Sequence, residues 1–462
     1  MRAEAEALLR VYGAPPATGA RLRAAATFPN PARAKLLRLG RDARWTPATL
    51  PLWQQDGDAL VLPRGLLHEL RSVEPGCPIE DRRLTLPEVD FRWRGTLRPE
   101  QREAAARAWR AQGGVVVGPC GSGKTNIGLA CVGGWRQPCL WLVHTLDLGR
   151  QAVERARALF DLPDDAFGMV GDGRERIGTH FTAATVQTLA RRDLADLAGR
   201  FGTVVLDEAH HAPASTFMQV LQAFPARNRL GLTATPDRAD GLGPAMLAVF
   251  GPIVARLTTR ALADAGRVVL PVVRQVPTSF IYPYADDYGA LMAALCADPA
   301  RNALVARMVA AEARAGHSCL VLSERVDHCR LLAEALQRVA PEVPAAILTG
   351  EASAKVRAET LGAMRTGSLR VLCATRLADE GLDLPALDRL FLTTGGRNVV
   401  ALTQRAGRAM RPAPGKGTPV LFDYCDWRVG VLRAQAKARA RDVWGPLGAR
   451  IVRAAEDGRR AG

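Results

Sequence analysis

The chain has 462 residues, 23% of them charged and 48% hydrophobic, a globular balance over a length that suggests about three domains. No run approaches the roughly 20 apolar residues that span a bilayer, and Met1-Arg-Ala-Glu-Ala-Glu6 lacks a signal-peptide core. Nine cysteines without a C-x-x-C pair and seven histidines without ligand spacing argue against a disulfide framework or a zinc site, so a reducing, cytoplasmic setting is expected. The net charge of +16 suits a polyanionic partner, and it equally suits the Arg- and Ala-rich usage of a GC-biased genome.

Residues 1–93 carry no chemical motif. Short apolar runs such as Ala59–Pro63, after the turn signal Asp56-Gly-Asp58, predict a small mixed α/β module. Leu97-Arg-Pro-Glu-Gln101 then opens an Ala-rich helix through Trp109. Strand-like runs at 114–118, 139–144, 179–182, 204–207 and 230–233 alternate with helical stretches, which predicts a parallel sheet covered by helices over 94–265. A second alternation over 266–426 has runs at 268–276, 319–323, 345–348, 369–374, 390–393 and 419–423. The remainder, 427–462, reads as a basic helical tail with nine Lys/Arg against three Asp/Glu.

The run Gly114–Gly118 leads into Pro-Cys-Gly121-Ser122-Gly123-Lys124-Thr125. Glycines between a strand and a helix turn successive N–H groups into one concavity at the positive end of the helix dipole, a phosphate site. Lys124 is placed to reach β/γ-phosphates and the Thr125 hydroxyl to ligate Mg²⁺. Val204-Val-Leu-Asp207-Glu208 supplies one carboxylate for the metal and a second to orient water. Two carboxylates after a strand are by themselves a solvated turn; downstream of a phosphate loop they point to nucleoside triphosphate hydrolysis.

These motifs keep a fixed order with Gln101, Asp207-Glu-Ala-His210, Gly231-Leu-Thr233-Ala-Thr235-Pro236, Ala374-Thr375 through Gly381-Leu-Asp383 and Gln404-Arg-Ala-Gly-Arg408-Ala-Met-Arg411. The series resembles superfamily 2 helicases and translocases over about 97–426, and its Thr233–Gly241 and Phe250–Val254 segments resemble the branch of XPB and UvsW. The resemblance implies two tandem RecA-like domains with ATP and Mg²⁺ between them, an accessory N-terminal domain and DNA, rather than RNA, as track. It implies that Arg98 and Gln101 read adenine, that Gly118, Gly121, Ser122 and Gly123 hold phosphates, and that Gly381 and Asp383 contact the nucleotide. Gln404, Arg408 and Arg411 are implied as catalytic, the two arginines as fingers, although Arg408 alone is also one more arginine in an Arg-rich chain. His210, Thr233 and Thr235 are implied to couple the two sites, with turn capping as the plainer role of His210. Thr145, Arg150, Thr185, Gln187, Thr188, Thr349, Gly350 and Thr375 are implied nucleic-acid contacts, each hydroxyl also readable as a helix cap. The expected activity is an ATP-dependent DNA helicase or translocase. A duplex-translocating motor of a defence or restriction complex with a nuclease partner, a nucleotide-switched clamp and an RNA helicase remain as alternatives.

Overall fold

Leu8-Leu-Arg-Val-Tyr12 alternates in burial as a strand does, with Leu9 and Val11 buried and Leu8, Arg10 and Tyr12 partly open. That strand belongs to the first of three main sheets in the computed structural model, which describes residues 1–38, 40–119, 121–171, 173–209, 214–235, 242–375, 384, 386–396 and 398–453. The chain forms two units, residues 1–118 with 122–257, and residues 258–462 with 119–121.

In the first unit, strands β1 (Arg2–Ala5), β2 (Leu8–Tyr12), β3 (Thr27–Pro29), β4 (Thr49–Pro51), β5 (Gln54–Asp56), β6 (Ala59–Pro63) and β7 (Ile79–Asp81) build the N-terminal module. Five of them form a mixed sheet in the order β5-β6-β2-β1-β7, and β3 and β4 form a separate ribbon. The turn between β5 and β6 uses Gly57 at φ 59°, as the Asp-Gly-Asp signal predicts. This module is small, mixed α/β and fused to the parallel sheet of the same unit. Its Leu9, Val11, Leu60, Leu62 and Leu70 share one apolar core with Val115, Leu142, Leu206, Phe217 and Phe250.

The second sheet comprises β8 (Gly113–Val117), β9 (Cys139–Val143), β10 (Phe167–Gly171), β11 (Arg174–Arg176), β12 (Phe181–Thr185), β13 (Thr203–Leu206), β14 (Asn228–Thr233) and β15 (Ile253–Arg256). Its order is β11-β10-β12-β9-β13-β14-β8-β15, parallel throughout except for β11 against β10. The near-continuous Val/Leu runs of β8, β9 and β13 are buried on both faces, as a helix-covered parallel sheet requires. β10, β11 and β15 lie outside the strand-like runs, and β12 begins two residues later than the run at 179–182.

The second unit holds an all-parallel seven-stranded sheet. Its strands are β16 (Val272–Pro277), β17 (Cys319–Leu322), β18 (Ala345–Leu348), β19 (Val371–Ala374), β20 (Arg389–Leu392), β21 (Val420–Cys425) and β22 (Arg450–Arg453), in the order β18-β19-β17-β20-β21-β16-β22. The segment expected as a helical tail does open with a helix, Gly430–Arg439. It then departs from that expectation, because Arg450–Arg453 pairs with β16 as the sheet's edge strand. The helix is itself locked inward: Arg439 forms a buried bidentate ion pair with Asp423 at 2.7–3.0 Å, and Trp444 Nε1 donates to the same carboxylate at 2.9 Å. Among the described residues no helix is long and apolar enough to cross a membrane.

Candidate functional site

Five adjacent strands of the eight-stranded sheet deliver their C-terminal ends to one edge, where open α/β sheets bind ligands. After β8, Gly121 at φ 83° and Gly123 at φ 79° take left-handed backbone, and the helix Lys124–Trp135 begins immediately. A Cβ on Gly123 would stand 2.2 Å from Gln101 Nε2, so this position requires glycine. The crowding arises because Gln101 Nε2 and Arg98 donate to the Ser122 carbonyl at 2.9 and 2.7 Å. Arg98 and Gln101, expected on the base, brace the phosphate loop in this structure. Such bracing left no trace in the sequence, since the partner is a backbone oxygen. Ser122 is fully buried, and its Oγ has no hydrogen-bond partner among the described residues.

Lys124 is almost completely buried; its Nζ donates to the Gly118 carbonyl at 2.9 Å and lies 3.6 Å from Glu208 Oε1. The Thr125 hydroxyl donates to Asp207 Oδ2 at 3.3 Å, across the sheet from β8 to β13 with β14 between them. Burial raises the Asp207 pKa and the neighbouring Glu208 charge raises it further, while Lys124 opposes both. Glu208 adopts left-handed backbone at φ 50° although it is not glycine, and its N–H donates to Asp207 Oδ1 at 2.9 Å. Downstream, Ala209 N–H donates to the Leu232 carbonyl and Gly118 N–H to the Thr233 carbonyl, tying the carboxylate turn and the phosphate loop to β14. The Thr233 hydroxyl in turn donates to the Thr235 carbonyl at 2.7 Å. The structure therefore brings together Gly118, Ser122, Gly123, Lys124, Thr125, Asp207, Glu208, Thr233, Arg98 and Gln101. His210, Gly381 and Asp383 lie outside the described residues.

Two of the expected nucleic-acid contacts, Thr145 and Thr185, also cap helices. Thr145 Oγ1 accepts from Leu148 N–H at 3.4 Å, and Thr185 Oγ1 accepts from Thr188 N–H at 3.2 Å while bonding the Thr188 hydroxyl at 2.7 Å. Gln187 is exposed, and exposed Arg150 pairs with Asp147 at 2.8 Å. In the second unit Thr349 is buried, Gly350 is exposed and Thr375 is half-buried just beyond β19. Gln404 is buried on the helix Val399–Ala409, Arg408 follows one turn later on the same face, and half-buried Arg411 lies just past the helix end. Lys416 Nζ donates to the Arg411 carbonyl at 2.7 Å, and burial lowers its pKa to about 8.

Comparison with known proteins fits this geometry. Residues 94–238 match the family described as type III restriction enzyme, res subunit, and residues 300–413 match the helicase conserved C-terminal domain. A Rad25 protein of Halobacterium salinarum, named as a DNA 3'-5' helicase, is 32% identical over 68% of this chain and 52% of its own. The DNA 3'-5' helicase XPB of Kineococcus radiotolerans is 29% identical over 70% of this chain and 58% of its own. The chain thus spans little more than half the length of these relatives. Among solved structures, the type ISP restriction-modification enzyme LlaBIII, determined with DNA, superposes with a TM-score of 0.58 at 14% identity, over 79% of this chain and 32% of that one. This last likeness is one of fold.

Proposed function

The chain belongs to the superfamily 2 helicases, in the XPB-like branch, and from that membership we propose that it is an ATP-dependent DNA helicase or translocase. The observation that carries the reading is the convergence of Lys124 Nζ, Thr125 Oγ1, Asp207 and Glu208 at one sheet edge behind a glycine-rich loop. Left-handed Gly121 and Gly123 shape the turn whose backbone N–H groups would hold phosphate, and Lys124 supplies the cation. The oxygens of Thr125 and Asp207 fit neighbouring ligands of Mg²⁺: both are hard donors, and 3.3 Å is close to the roughly 3 Å between adjacent vertices of an octahedron with 2.0–2.1 Å bonds. Bound there, Mg²⁺ would neutralise charge on the phosphoryl oxygens.

The remaining steps belong to the protein's own groups. Glu208 orients the attacking water, held beside Lys124 by its left-handed backbone. Arg408 and Arg411 of the second unit supply transition-state charge, a contribution on the order of 10³–10⁵ in rate. Thr145, Arg150, Thr185, Gln187 and Thr188 of the first unit, and Thr349, Gly350 and Thr375 of the second, are the candidate contacts to the DNA backbone, since hydroxyls and amides grip phosphate without reading sequence. His210, Thr233 and Thr235 couple the two sites. DNA as track, with 3'-to-5' movement, is supported by the names of the relatives. A second reading, the duplex-translocating motor of a restriction complex, is favoured by the match of 94–238 to the res-subunit family.

Two variants test the assignment. Lys124→Ala and Glu208→Gln should each lower ATP turnover at least about a hundred-fold. Lys124→Ala should also lose ATP binding, whereas Glu208→Gln should retain ATP and hold DNA more tightly. Parental turnover in Glu208→Gln would remove the water-orienting role and with it the site.

A further inference from the structure

The N-terminal module carries an aromatic side chain that the motor site does not use. Trp45 is 94% exposed; the next most exposed tryptophan, Trp109, is at 50%. It sits on a held turn rather than a loose loop. Thr46 N–H donates to the Ala43 carbonyl at 3.1 Å, which closes the turn with Arg44 and Trp45 at its centre. The Arg33 guanidinium, from the preceding helix Pro31–Arg38, donates to both the Ala43 and Thr46 carbonyls at 2.6 Å and brackets Trp45 from below. Ala43 is buried beneath the turn, and Asp42 accepts from Arg44 N–H at 2.9 Å. The fold therefore fixes the backbone on both sides of the indole while leaving its face in water.

The charge around this turn is as uneven as its exposure. Between Arg21 and Trp45 the sequence has seven Lys/Arg against one Asp, whereas the other residues of 1–93 have seven against ten Asp/Glu. The basic excess of the module is thus concentrated in the segment that presents Trp45. Arg44, directly beside it, has its side chain 86% exposed and pairs with half-exposed Asp42 at 2.9 Å, a surface pair that an incoming phosphate can displace, and Arg41 is exposed as well. An exposed aromatic face on a held backbone turn, flanked by arginines, matches the chemistry of single-stranded nucleic-acid binding, in which an unpaired base stacks on the ring and cations hold the adjoining phosphates. A duplex offers no free base face of this kind.

We propose that the Ala43–Thr46 turn is a base-stacking site for single-stranded DNA, with Trp45 as the platform and Arg44 and Arg41 as phosphate contacts. The choice of DNA rests on the motor reading above; the site itself lies outside the ATP machinery, on a module that shares a core with the first motor sheet. It would hold the unpaired strand at a fixed place relative to that sheet.

The test uses the full-length chain and a fluorescein-labelled oligothymidylate, followed by anisotropy at constant salt, beside the same oligomer with abasic positions that keep the phosphates and lack the bases. Trp45→Ala should weaken binding of the intact oligomer on the order of ten-fold, the size of one stacked base. Trp45→Phe should recover most of the loss, and on the abasic oligomer Trp45→Ala should match the parent. Thermal midpoints equal to the parent's would show that each variant is folded. Equal binding of the intact oligomer by parent and Trp45→Ala would overturn the proposal, as would an equal loss on the abasic one or a parent that binds neither. A parent that binds the oligomer and loses affinity with Trp45→Ala, yet hydrolyses no ATP, would uphold the stacking site and defeat the motor reading instead.

Discussion

Glu208 holds a left-handed backbone that costs a non-glycine residue roughly 1–2 kcal/mol. The cost is offset by what the turn achieves: it brings Oε1 to 3.6 Å from Lys124 Nζ directly after Asp207 has met the Thr125 hydroxyl. A residue of the second unit shows the same economy of position. His328 is fully buried; its Nε2 lies 3.0 Å from Asn302 Oδ1 and its Nδ1 2.9 Å from the Ser323 hydroxyl. Because the Asn302 amide nitrogen donates to the Cys296 carbonyl, Asn302 Oδ1 is an acceptor, so Nε2 carries the ring proton and Nδ1 accepts from Ser323. Burial lowers the His328 pKa to about 3, with Arg301 and Arg325 adding repulsion. A base with a depressed pKa binds fewer protons folded than unfolded. Its contribution is therefore whole above about pH 6.5 and is lost as pH falls from there towards 3. Between pH 7.5 and 5 this group should remove about 2 kcal/mol of stability. His328→Gln, with a neutral side chain, should show a correspondingly shallower fall in denaturant midpoint over the same range; parallel pH profiles would contradict the neutral, buried assignment.

At the scale of elements, the N-terminal module is welded to the eight-stranded sheet by cations the sequence makes look exposed. Buried Arg229 donates to the Leu221 and Phe224 carbonyls at 3.0 and 2.9 Å and to Ala7 at 3.3 Å, and buried Arg64 donates to the Glu6 and Ala226 carbonyls at 3.0 and 2.6 Å. Their partners are backbone oxygens up to 222 residues away, so composition could not reveal them. Gly65 marks the closest approach: a Cβ there would meet the Ala248 carbonyl oxygen at 2.4 Å and the Gly251 nitrogen at 2.5 Å, both backbone. Gly65→Ala should therefore destabilise the chain by about 1–3 kcal/mol. Gly76→Ala, where a Cβ has nothing within 4 Å, serves as the control. Equal denaturant midpoints for the two variants would show that the contact is not tight. The same long-range logic explains the misread tail. Arg450-Ile-Val-Arg453 is four residues long and exposed, and it becomes a strand only because β16 offers an edge. Where the signal was local it was legible: Asp56-Gly57-Asp58 gave the hairpin turn and the Val/Leu runs gave the central strands. β15, by contrast, is Ile-Val-Ala-Arg with a register shift against β8, too short and irregular to stand out.

Over the whole molecule, the grouping of Lys124, Thr125, Asp207 and Glu208 at one sheet edge was legible because a phosphate loop has a fixed spacing, from Gly118 to Thr125, and the carboxylates follow a strand at Asp207-Glu208. A nucleic-acid contact is harder to read, because a threonine that caps a helix and one that grips a phosphate occupy the same kind of position. Thr145 and Thr185 show this directly. The two units carry separate sheets: the Lys124–Glu208 site belongs to the first, and the helix bearing Arg408 to the second. A net charge of +16 adds an attraction for phosphate that weakens with salt. Steady-state ATP hydrolysis, alone and with single-stranded DNA, forked DNA, blunt duplex or RNA, each at two salt concentrations, tests the proposed activity. A DNA helicase or translocase should be strongly stimulated by single-stranded or forked DNA, less so at the higher salt, with stimulation by blunt duplex alone selecting the translocating motor. Hydrolysis indifferent to every polymer, or stimulated by RNA alone, would contradict it.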